Sequence, residues 1–564
     1  MTEVPEAVAA YRRVADRVLD ALLELSPEDS TMLGDHRFDD RLSDFSPTGV
    51  RDRVGILDEA LSSLDQLDGS ALPVDDMVDL EIVRTAVARE HWTFSELRPH
   101  EHDPLIHLPG EALYALLSRE VGEPDGRVRG LITRMVAVPQ HLATAKQVLR
   151  DMSKVHVETA IGQTGGVIAL LGDDVDALVA LGSGSGSVAR EALAAREQAV
   201  AALEDFGRWL EAGLPDADGD PRLGERAFSA RLWFAMDTPT NADKLLNRAE
   251  SDLQAVEEEI AELASRIARR PPGPGLVRDV LDQLAALAPV TNETILPWCE
   301  RALAHLTARV RELDLVTIPD DPVQIIAMPE AMRGVAVAYC DPPGPLEPAR
   351  PDGAALPTFF AVSPTPQDWP VERVSSFYRE YNGHMIRNLA AHEGIPGHVL
   401  QLAHAARSPV SRLRSAFGSG PFMEGWAQYA EQIVAANGLG LGDDADDGLR
   451  MQRLKMQLRS TINAILDVRV HARGMTEDEA MRLMMDRGHQ EEGEAAGKWR
   501  RALLTSAQLS TYYVGYHSIC EVVAMVRDDR PAARDRDVHD AVLAHGSPPP
   551  RFLPTLMGLS QPLA

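Results

Sequence analysis

Apolar residues recur at helical spacing along most of the chain. Pro5 to Leu25, Asp75 to Leu97 and Val128 to Thr159 carry them at steps of three and four residues, which predicts amphipathic helices. Ala242 to Arg270 is the most regular segment, and its apolar seam spans only about three heptads. We therefore expect it to pack against another helix of the same chain. The seam runs through Leu246, Ala249, Leu253, Val256, Ile260, Leu263 and Ile267.

The pattern changes after residue 315. Prolines become frequent, and Thr358 to Ser363 is a run of β-forming residues bounded by prolines, which predicts a strand. This strand is either an edge that holds an extended substrate or part of a simple structural hairpin. Helical periodicity precedes and follows this stretch. It predicts helices over Leu276 to Ala288, Pro297 to Leu313, Tyr381 to Glu393, Pro421 to Ala436 and Leu449 to Arg473, with a capping box at Thr476 to Glu479.

These elements predict a mainly α protein with one small β-sheet. With 564 residues, of which 45% are hydrophobic and only 5% aromatic, the chain can form several helical lobes. We divide it into an N-terminal helical region (1–235), a helical hairpin region (236–314) and a C-terminal region (315–564), or one continuous helical body. Gly182 to Ser187 is a Gly/Ser run that predicts a flexible turn or a helix start.

Net charge and composition exclude several classes of partner. The formal charge is −30, from 56 basic and 86 acidic residues, which disfavours binding to nucleic acid or to anionic membranes. The three cysteines are far apart and imply no disulfide framework. No signal-peptide pattern and no long apolar run is visible, so we predict a cytoplasmic protein with no membrane contact. The sequence leaves the oligomeric state unknown.

The stretch from His392 to His398 carries the candidate chemistry. It contains two imidazoles and the Glu393 carboxylate, and Glu424 follows on a later predicted helix. Two histidines and one glutamate form a common catalytic Zn²⁺ shell that leaves a position open for water. Glu393, next to the first histidine, could accept a proton from that water. The pattern therefore predicts a zinc-dependent hydrolase.

The spacing of the two histidines requires a break in the helix. Residues at i and i+6 of a regular helix point about 120° apart and lie about 9 Å apart along its axis, so they cannot share one ion. Gly394, Pro396 and Gly397 lie between them and predict a kink that returns His398 to the metal side. The alternative is a plain helix stop, with His392 a helix-end residue.

The motifs around these residues resemble those of the bacterial domain-of-unknown-function family 885. The first motif resembles that family's H-E-x-x-P-G-H signature, and three later segments resemble its other blocks in the same order. The matching segments are His392 to Gln401, Phe422 to Glu431, Asp467 to Gly474 and Tyr512 to Gly515. The resemblance implies a zincin-like metallopeptidase architecture, with 315–564 as the catalytic region, zinc on His392, His398 and Glu424, and Glu393 as general base.

Two departures from the expected pattern affect the site. Val399 stands where the family often has a further histidine, so that position cannot be a ligand. Gln428 stands four residues after the third ligand, where thermolysin-like enzymes have an aspartate that orients a ligand histidine. We expect Gln428 to hydrogen-bond a ligand histidine without charge.

We expect the reaction to be hydrolysis of an amide in a short peptide or peptide-like metabolite. Tyr512 and His471 are the candidate donors to the oxyanion, with Asp467 pairing with His471 one helical turn away. On general grounds a tyrosine such as Tyr512 in an apolar helix is more often a core residue, and only the resemblance makes a catalytic role about as well supported. His471 is equally a solvated helix-end residue. The alternatives are a metal-dependent amidase or other carbon–heteroatom bond enzyme, and a non-catalytic binding protein that keeps a zincin-like fold.

Overall fold

The computed structural model describes residues 6–118, 124–182, 186–238, 240–328, 333, 336–348, 355–440 and 445–559. The chain forms two compact units, and both contain separate stretches of sequence. Unit 1 comprises Met1–Pro221, Pro343–Ala354 and Ser411–Phe417, and unit 2 comprises Arg222–Pro342, Ala355–Val410 and Gly418–Ala564. Unit 2 contains the predicted hairpin region 236–314 and every candidate site residue.

Unit 1 is helical throughout its described residues. Its helices are α1 (Glu6–Leu25), α2 (Pro27–Leu33), α3 (Pro47–Asp65), α4 (Val74–Trp92), α5 (Gly110–Ser118), α6 (Pro124–Val148), α7 (Lys154–Leu170), α8 (Asp173–Leu181), α9 (Gly186–Gly213) and, from a later stretch, α17 (Arg412–Ala416). Helices α5 to α9 bury a common core of mainly Leu, Val and Ala side chains, which includes the fully buried Phe206. Residues 183–185 of the predicted Gly/Ser turn lie outside the described residues.

One predicted helix of unit 1 is two helices. The segment from Val128 to Thr159 divides between α6 and α7, so its prediction as one element was wrong. Asp151 adopts a left-handed backbone conformation with φ of 49°. Ser153 then caps α7, because its side chain accepts a hydrogen bond from the backbone N–H of His156. Serine at an N-cap satisfies an amide that the helix leaves unpaired, and so starts a new helix.

Unit 2 contains the remaining helices and the sheet. Its helices are α10 (Gly224–Met236), α11 (Ala242–Ala268), α12 (Leu276–Leu287), α13 (Ile295–Glu312), α14 (Val371–Glu380), α15 (Gly383–Glu393), α16 (His398–Arg407), α18 (Gly420–Ala436), α19 (Ala445–Arg473), α20 (Glu477–Arg482), α21 (Glu492–Leu504), α22 (Ser510–Asp529), α23 (Asp535–Leu543) and α24 (Leu553–Leu556). The strands are β1 (Val323–Ala327), β2 (Ala338–Asp341) and β3 (Thr358–Val362).

The apolar seam of α11 packs within the chain, as predicted. Leu253, Val256 and Ile260 are buried in one cluster with Leu458 and Ile465 of α19. The predicted capping box is also present, since Thr476 and Glu479 bond to each other's backbone amides at the start of α20. The described residues are mainly helical with one three-stranded sheet, which confirms the coarse fold prediction.

The sheet excludes one of the two alternatives for Thr358 to Ser363, that of an edge strand. The strand order is β1-β3-β2, with β3 parallel to β1 and antiparallel to β2, so β3 is the central strand. Phe360, Ala361 and Val362 are fully buried. A continuous apolar run without alternation is typical of a strand that is covered on both faces, which is why this segment lies at the centre.

Among the described residues, no helix combines the length and the apolar character that crossing a bilayer requires.

Candidate metal centre

The helix that carries His392 ends before His398, as the spacing requires. α15 ends at Glu393, and Gly394 leaves the helical region with φ of −100° and ψ of −116°. The Ile395–Pro396 peptide bond is cis, and α16 begins at His398. A side chain at Gly397 would collide with the carbonyl oxygen of His392, so the turn closes only with glycine there. The predicted distortion is confirmed.

The E-G-W-A segment of α18 holds this turn in place. The Trp426 indole donates a hydrogen bond of 2.8 Å to the carbonyl oxygen of Pro396, and its ring is fully buried. At Gly425, helix α18 crosses α22 at Gly515. A Cβ atom at either glycine would collide with backbone atoms of the other helix. The two glycines therefore permit a close helix crossing beside Glu424.

The break and the crossing bring His392, His398 and Glu424 together. One nitrogen or oxygen atom from each of the three lies within 4.8 Å of the others. The Oε2 atom of Glu424 is 3.4 Å from Nε2 of His392 and 3.5 Å from Nε2 of His398. Two ligand atoms on one tetrahedral Zn²⁺ lie roughly 3.4 Å apart, given metal–ligand distances near 2.0–2.1 Å. Oε2 of Glu424 is also buried without a hydrogen-bond partner. The three side chains fit a divalent cation.

A second carboxylate orients the first histidine. Nδ1 of His392 lies 2.7 Å from Oε1 of Glu431, and the Asn388 side-chain amide donates to the other Glu431 oxygen at 2.8 Å. Such a carboxylate fixes the ring and leaves Nε2 free to act as a ligand. Gln428 was the residue expected from the sequence to hydrogen-bond a ligand histidine, but at Nδ1 of His392 the carboxylate of Glu431 holds that place.

The signal for Glu431 was present in the sequence. Glu431 follows Glu424 by seven residues, or two helical turns, so the two lie on the same face of one helix. Asn388 precedes His392 by four residues and likewise lies on the same helix face as His392.

The pKa values at the site reflect opposed burial and charge. Burial lowers the pKa of His392, but Glu424 and then Glu431 outweigh it and raise that pKa well above its usual value. Burial raises the pKa of Glu424, but His392 and His398 outweigh it and lower that pKa. The carboxylates thus favour positive charge between them, which is the property a metal site needs.

Glu393 lies beside the ligands without belonging to the ligand set. It is the last residue of α15 and is 8% exposed. Burial is the main cause that raises its pKa, with His392 and His398 acting in the opposite direction. The role of Glu393 as general base stays a prediction.

The structure brings Tyr512 close to this cluster. Tyr512 stands one helical turn before Gly515 on α22, and Arg501 donates a hydrogen bond of 3.3 Å to its hydroxyl. Burial raises its pKa, and the charge of Glu424 is the next largest cause. The Tyr512 hydroxyl therefore lies within the electrostatic reach of Glu424.

The structure does not bring His471 into the cluster of His392, His398 and Glu424. Its Nε2 lies 2.9 Å from each of the carbonyl oxygens of Ala502 and Thr505, and its ring stacks on Phe228. The expected hydrogen bond from His471 to Asp467 is absent, because Nδ1 of His471 has no partner.

Asp467 instead caps the start of α22. Its carboxylate accepts hydrogen bonds from the backbone amides of Ala507 and Ser510 and from the Ser510 hydroxyl. An aspartate at this point satisfies amides that the first helical turn leaves unpaired.

Comparisons with known proteins cover nearly the whole chain. A protein described as "a putative lipoprotein of unknown function from Shewanella oneidensis" has a similar structure, with 26% identity, a TM-score of 0.80, and coverage of 97% of this chain and 99% of that one. A protein described as "the putative lipoprotein from Colwellia psychrerythraea" has a TM-score of 0.79 over 97% and 98% of the two chains; at 15% identity this likeness is one of fold alone. No curated protein matches the chain. Residues 27–557 match the family model described as "Bacterial protein of unknown function (DUF885)", and the chain belongs to that family.

Proposed function

We propose that unit 2 is a zinc-dependent hydrolase of zincin-like metallopeptidase type that cleaves an amide bond of a short peptide or peptide-like metabolite. The observation that carries this proposal is the convergence of His392, His398 and Glu424, with 3.4 and 3.5 Å between the glutamate oxygen and the two imidazole nitrogens. These separations are long for hydrogen bonds and suit two ligands of one ion.

The three side chains would hold zinc, and Glu431 would keep the His392 ring in its ligating orientation. When bound, zinc supplies a Lewis acid that activates water and polarises a carbonyl group. Two histidines and one glutamate leave room for a further ligand, as in catalytic zinc sites. Structural zinc sites usually have four protein ligands. Among the described residues, this cluster contains three.

Glu393 is the residue that would move the proton. Its carboxylate would accept a proton from the attacking water and pass it to the leaving nitrogen. Tyr512 would donate a hydrogen bond to the oxygen that gains charge in the transition state. We prefer Tyr512 to His471 for this role, because the Nε2 atom of His471 already bonds to the carbonyl oxygens of Ala502 and Thr505.

A peptide-library digest analysed for zinc dependence tests the reaction. Protein treated with a chelator and then reloaded with zinc should cleave peptides only after reloading. A parallel panel of small non-peptide amides separates a peptidase from the alternative amidase. Protein that holds zinc but hydrolyses neither peptides nor amides would contradict the proposal and favour the binding-protein alternative.

A further inference from the structure

Two cations lie on one face of α21 without a carboxylate partner. Lys498 and Arg501 are three residues apart in this helix, which places their side chains on the same side. Among the described residues, no acidic group comes within ion-pair distance of either one. Lys498 is only 7% exposed.

A neighbouring buried lysine of the same unit shows the usual arrangement. Lys455 donates a hydrogen bond of 2.8 Å to the carboxylate of Glu380. The carboxylate nearest in sequence to Lys498 is Glu494, but its Oε2 accepts hydrogen bonds from Arg459 and Tyr381. Burying an unpaired charge costs free energy, and the carboxylate of a ligand would supply the partner that Lys498 lacks.

Neutral side chains hold Arg501 in position. Its Nε and Nη2 atoms donate to the amide oxygen of Gln508 at 3.1 and 2.8 Å, and Nη2 also donates to the Tyr512 hydroxyl. An amide oxygen and a hydroxyl orient the guanidinium without neutralising its charge. Burial, followed by the charges of Arg459 and Arg501, lowers the pKa of Lys498 well below its usual value, and an anion would reverse this effect.

Tyr512 connects these cations to the metal cluster. The Tyr512 hydroxyl accepts a hydrogen bond from Arg501. Tyr512 also stands one helical turn before Gly515, where α22 crosses α18 beside Glu424. Tyr512 therefore links the Arg501 guanidinium to the helix crossing beside Glu424.

We propose, on the basis of the proposed function, that Lys498 and Arg501 bind the free C-terminal carboxylate of the substrate, so that the enzyme removes residues from the C-terminal end of short peptides. Every peptide carries this carboxylate, and a guanidinium and an ammonium group are its usual partners. Hydrolysis of the last peptide bond adds the hydroxyl of water to the acyl carbon and the remaining proton to the leaving nitrogen. The products are a shortened peptide and a free amino acid.

Calorimetric titration of metal-free protein tests this anchor independently of zinc chemistry. N-acetylated dipeptides are compared as free acids and as C-terminal amides, with Arg501→Gln, Lys498→Met and wild type. We expect the free acid to bind more tightly than the amide, and each variant to lose about tenfold to a hundredfold in free-acid affinity. Arg482→Gln removes an exposed positive charge from the same unit and should leave the affinity unchanged.

Stability provides a second readout. Lys498→Met replaces a buried amine that has no carboxylate partner with an apolar side chain of similar size. It should therefore raise the urea midpoint while it weakens carboxylate binding, which a merely structural lysine would not do. Equal binding of acid and amide, including no binding of either, overturns the anchor, as does wild-type affinity in both variants. Zinc content of the same proteins, measured before the metal is removed for calorimetry, separates the two proposals. Loss of the anchor with zinc retained refutes only the anchor, and an intact anchor without zinc refutes only the hydrolase.

Discussion

The two units use buried histidines in opposite ways. In unit 1, His100 and His107 lie in an aromatic cluster: the Phe94 ring stacks on His100 at 5.6 Å between centroids, and Phe45 meets His107 edge-on at 5.2 Å. Nε2 of His107 bonds to the carbonyl oxygen of His100 at 2.9 Å. In unit 2, both nitrogens of His392 face carboxylates instead.

The partners, rather than burial, decide what each histidine can do. Burial lowers the pKa of His107 to about 4, because a carbonyl oxygen and aromatic rings compensate its positive charge poorly. The side chain of His392 is only 12% exposed, yet Glu424 and Glu431 raise its pKa above the usual value. A histidine among rings and carbonyls therefore packs as a neutral side chain, whereas one between carboxylates is set up to hold a cation.

The largest expected effect concerns Glu393. Glu393→Gln keeps the shape of the side chain and removes the base, so it should retain zinc while turnover falls by roughly two to four powers of ten. Turnover of a substrate found in the peptide library measures this loss. Glu372→Gln on the exposed start of α14 is the control and should leave turnover unchanged. Wild-type turnover in Glu393→Gln would make the metal cluster structural.

The second prediction uses pH to test the aromatic cluster. The folded-state pKa of His107, about 4, lies below the unfolded value near 6.5, so the unfolded chain binds the proton first. The contribution of neutral His107 to the free energy of unfolding is therefore present above pH 6.5 and is lost as the pH falls towards 4. The full loss is about 3 kcal/mol, of which about 2 kcal/mol is already lost at pH 5. Hydrogen exchange of peptides from residues 99–148, at pH 7 and pH 5, measures this loss after correction for intrinsic rates.

A variant assigns the pH effect to one residue. His107→Phe keeps a ring but cannot be protonated, so the stability of unit 1 should depend less on pH in the variant than in the wild type. Wild-type pH dependence in this variant would show that the aromatic cluster does not hold His107 neutral.

The smallest expected effect tests whether Glu431 or Gln428 orients His392. Glu431→Gln removes the charge behind His392 and should lower zinc affinity by about tenfold to a hundredfold, the usual result of losing an orienting partner. Gln428→Ala is the matched control on the same helix, and its zinc affinity should stay close to that of the wild type. A competition titration with a chromogenic chelator measures both. Equal losses in the two variants would return the orienting role to Gln428.

The sequence predicted the elements that local patterns determine. The seam of α11, the break between His392 and His398, and the capping box at Thr476 all depend on residues close together in the chain. The coarse fold followed from them. The three metal ligands could be proposed because a histidine pair and a glutamate carry specific chemistry. The cytoplasmic location stays a prediction.

The features that the sequence missed depend on which surfaces meet. Glu431 and Gln428 follow Glu424 by seven and four residues, and both offsets are compatible with one helix face, so only the packing of α15 against α18 distinguishes them. An edge position stayed open for Thr358–Val362 because its neighbours β1 and β2 carry weaker signals in the sequence. The sequence could not exclude His471 from the site. The carbonyl oxygens that bind its Nε2 come from α21 and the residue that follows α21, which are distant in the chain.

Metal analysis of four variants tests the central claim most directly. Protein purified without chelator should contain about one zinc per chain, and His392→Ala, His398→Ala and Glu424→Ala should each lose it. His404→Ala, on the same helix as His398 but bonded to the carbonyl oxygen of Thr317, should keep it. Full zinc content in all three ligand variants would contradict the account.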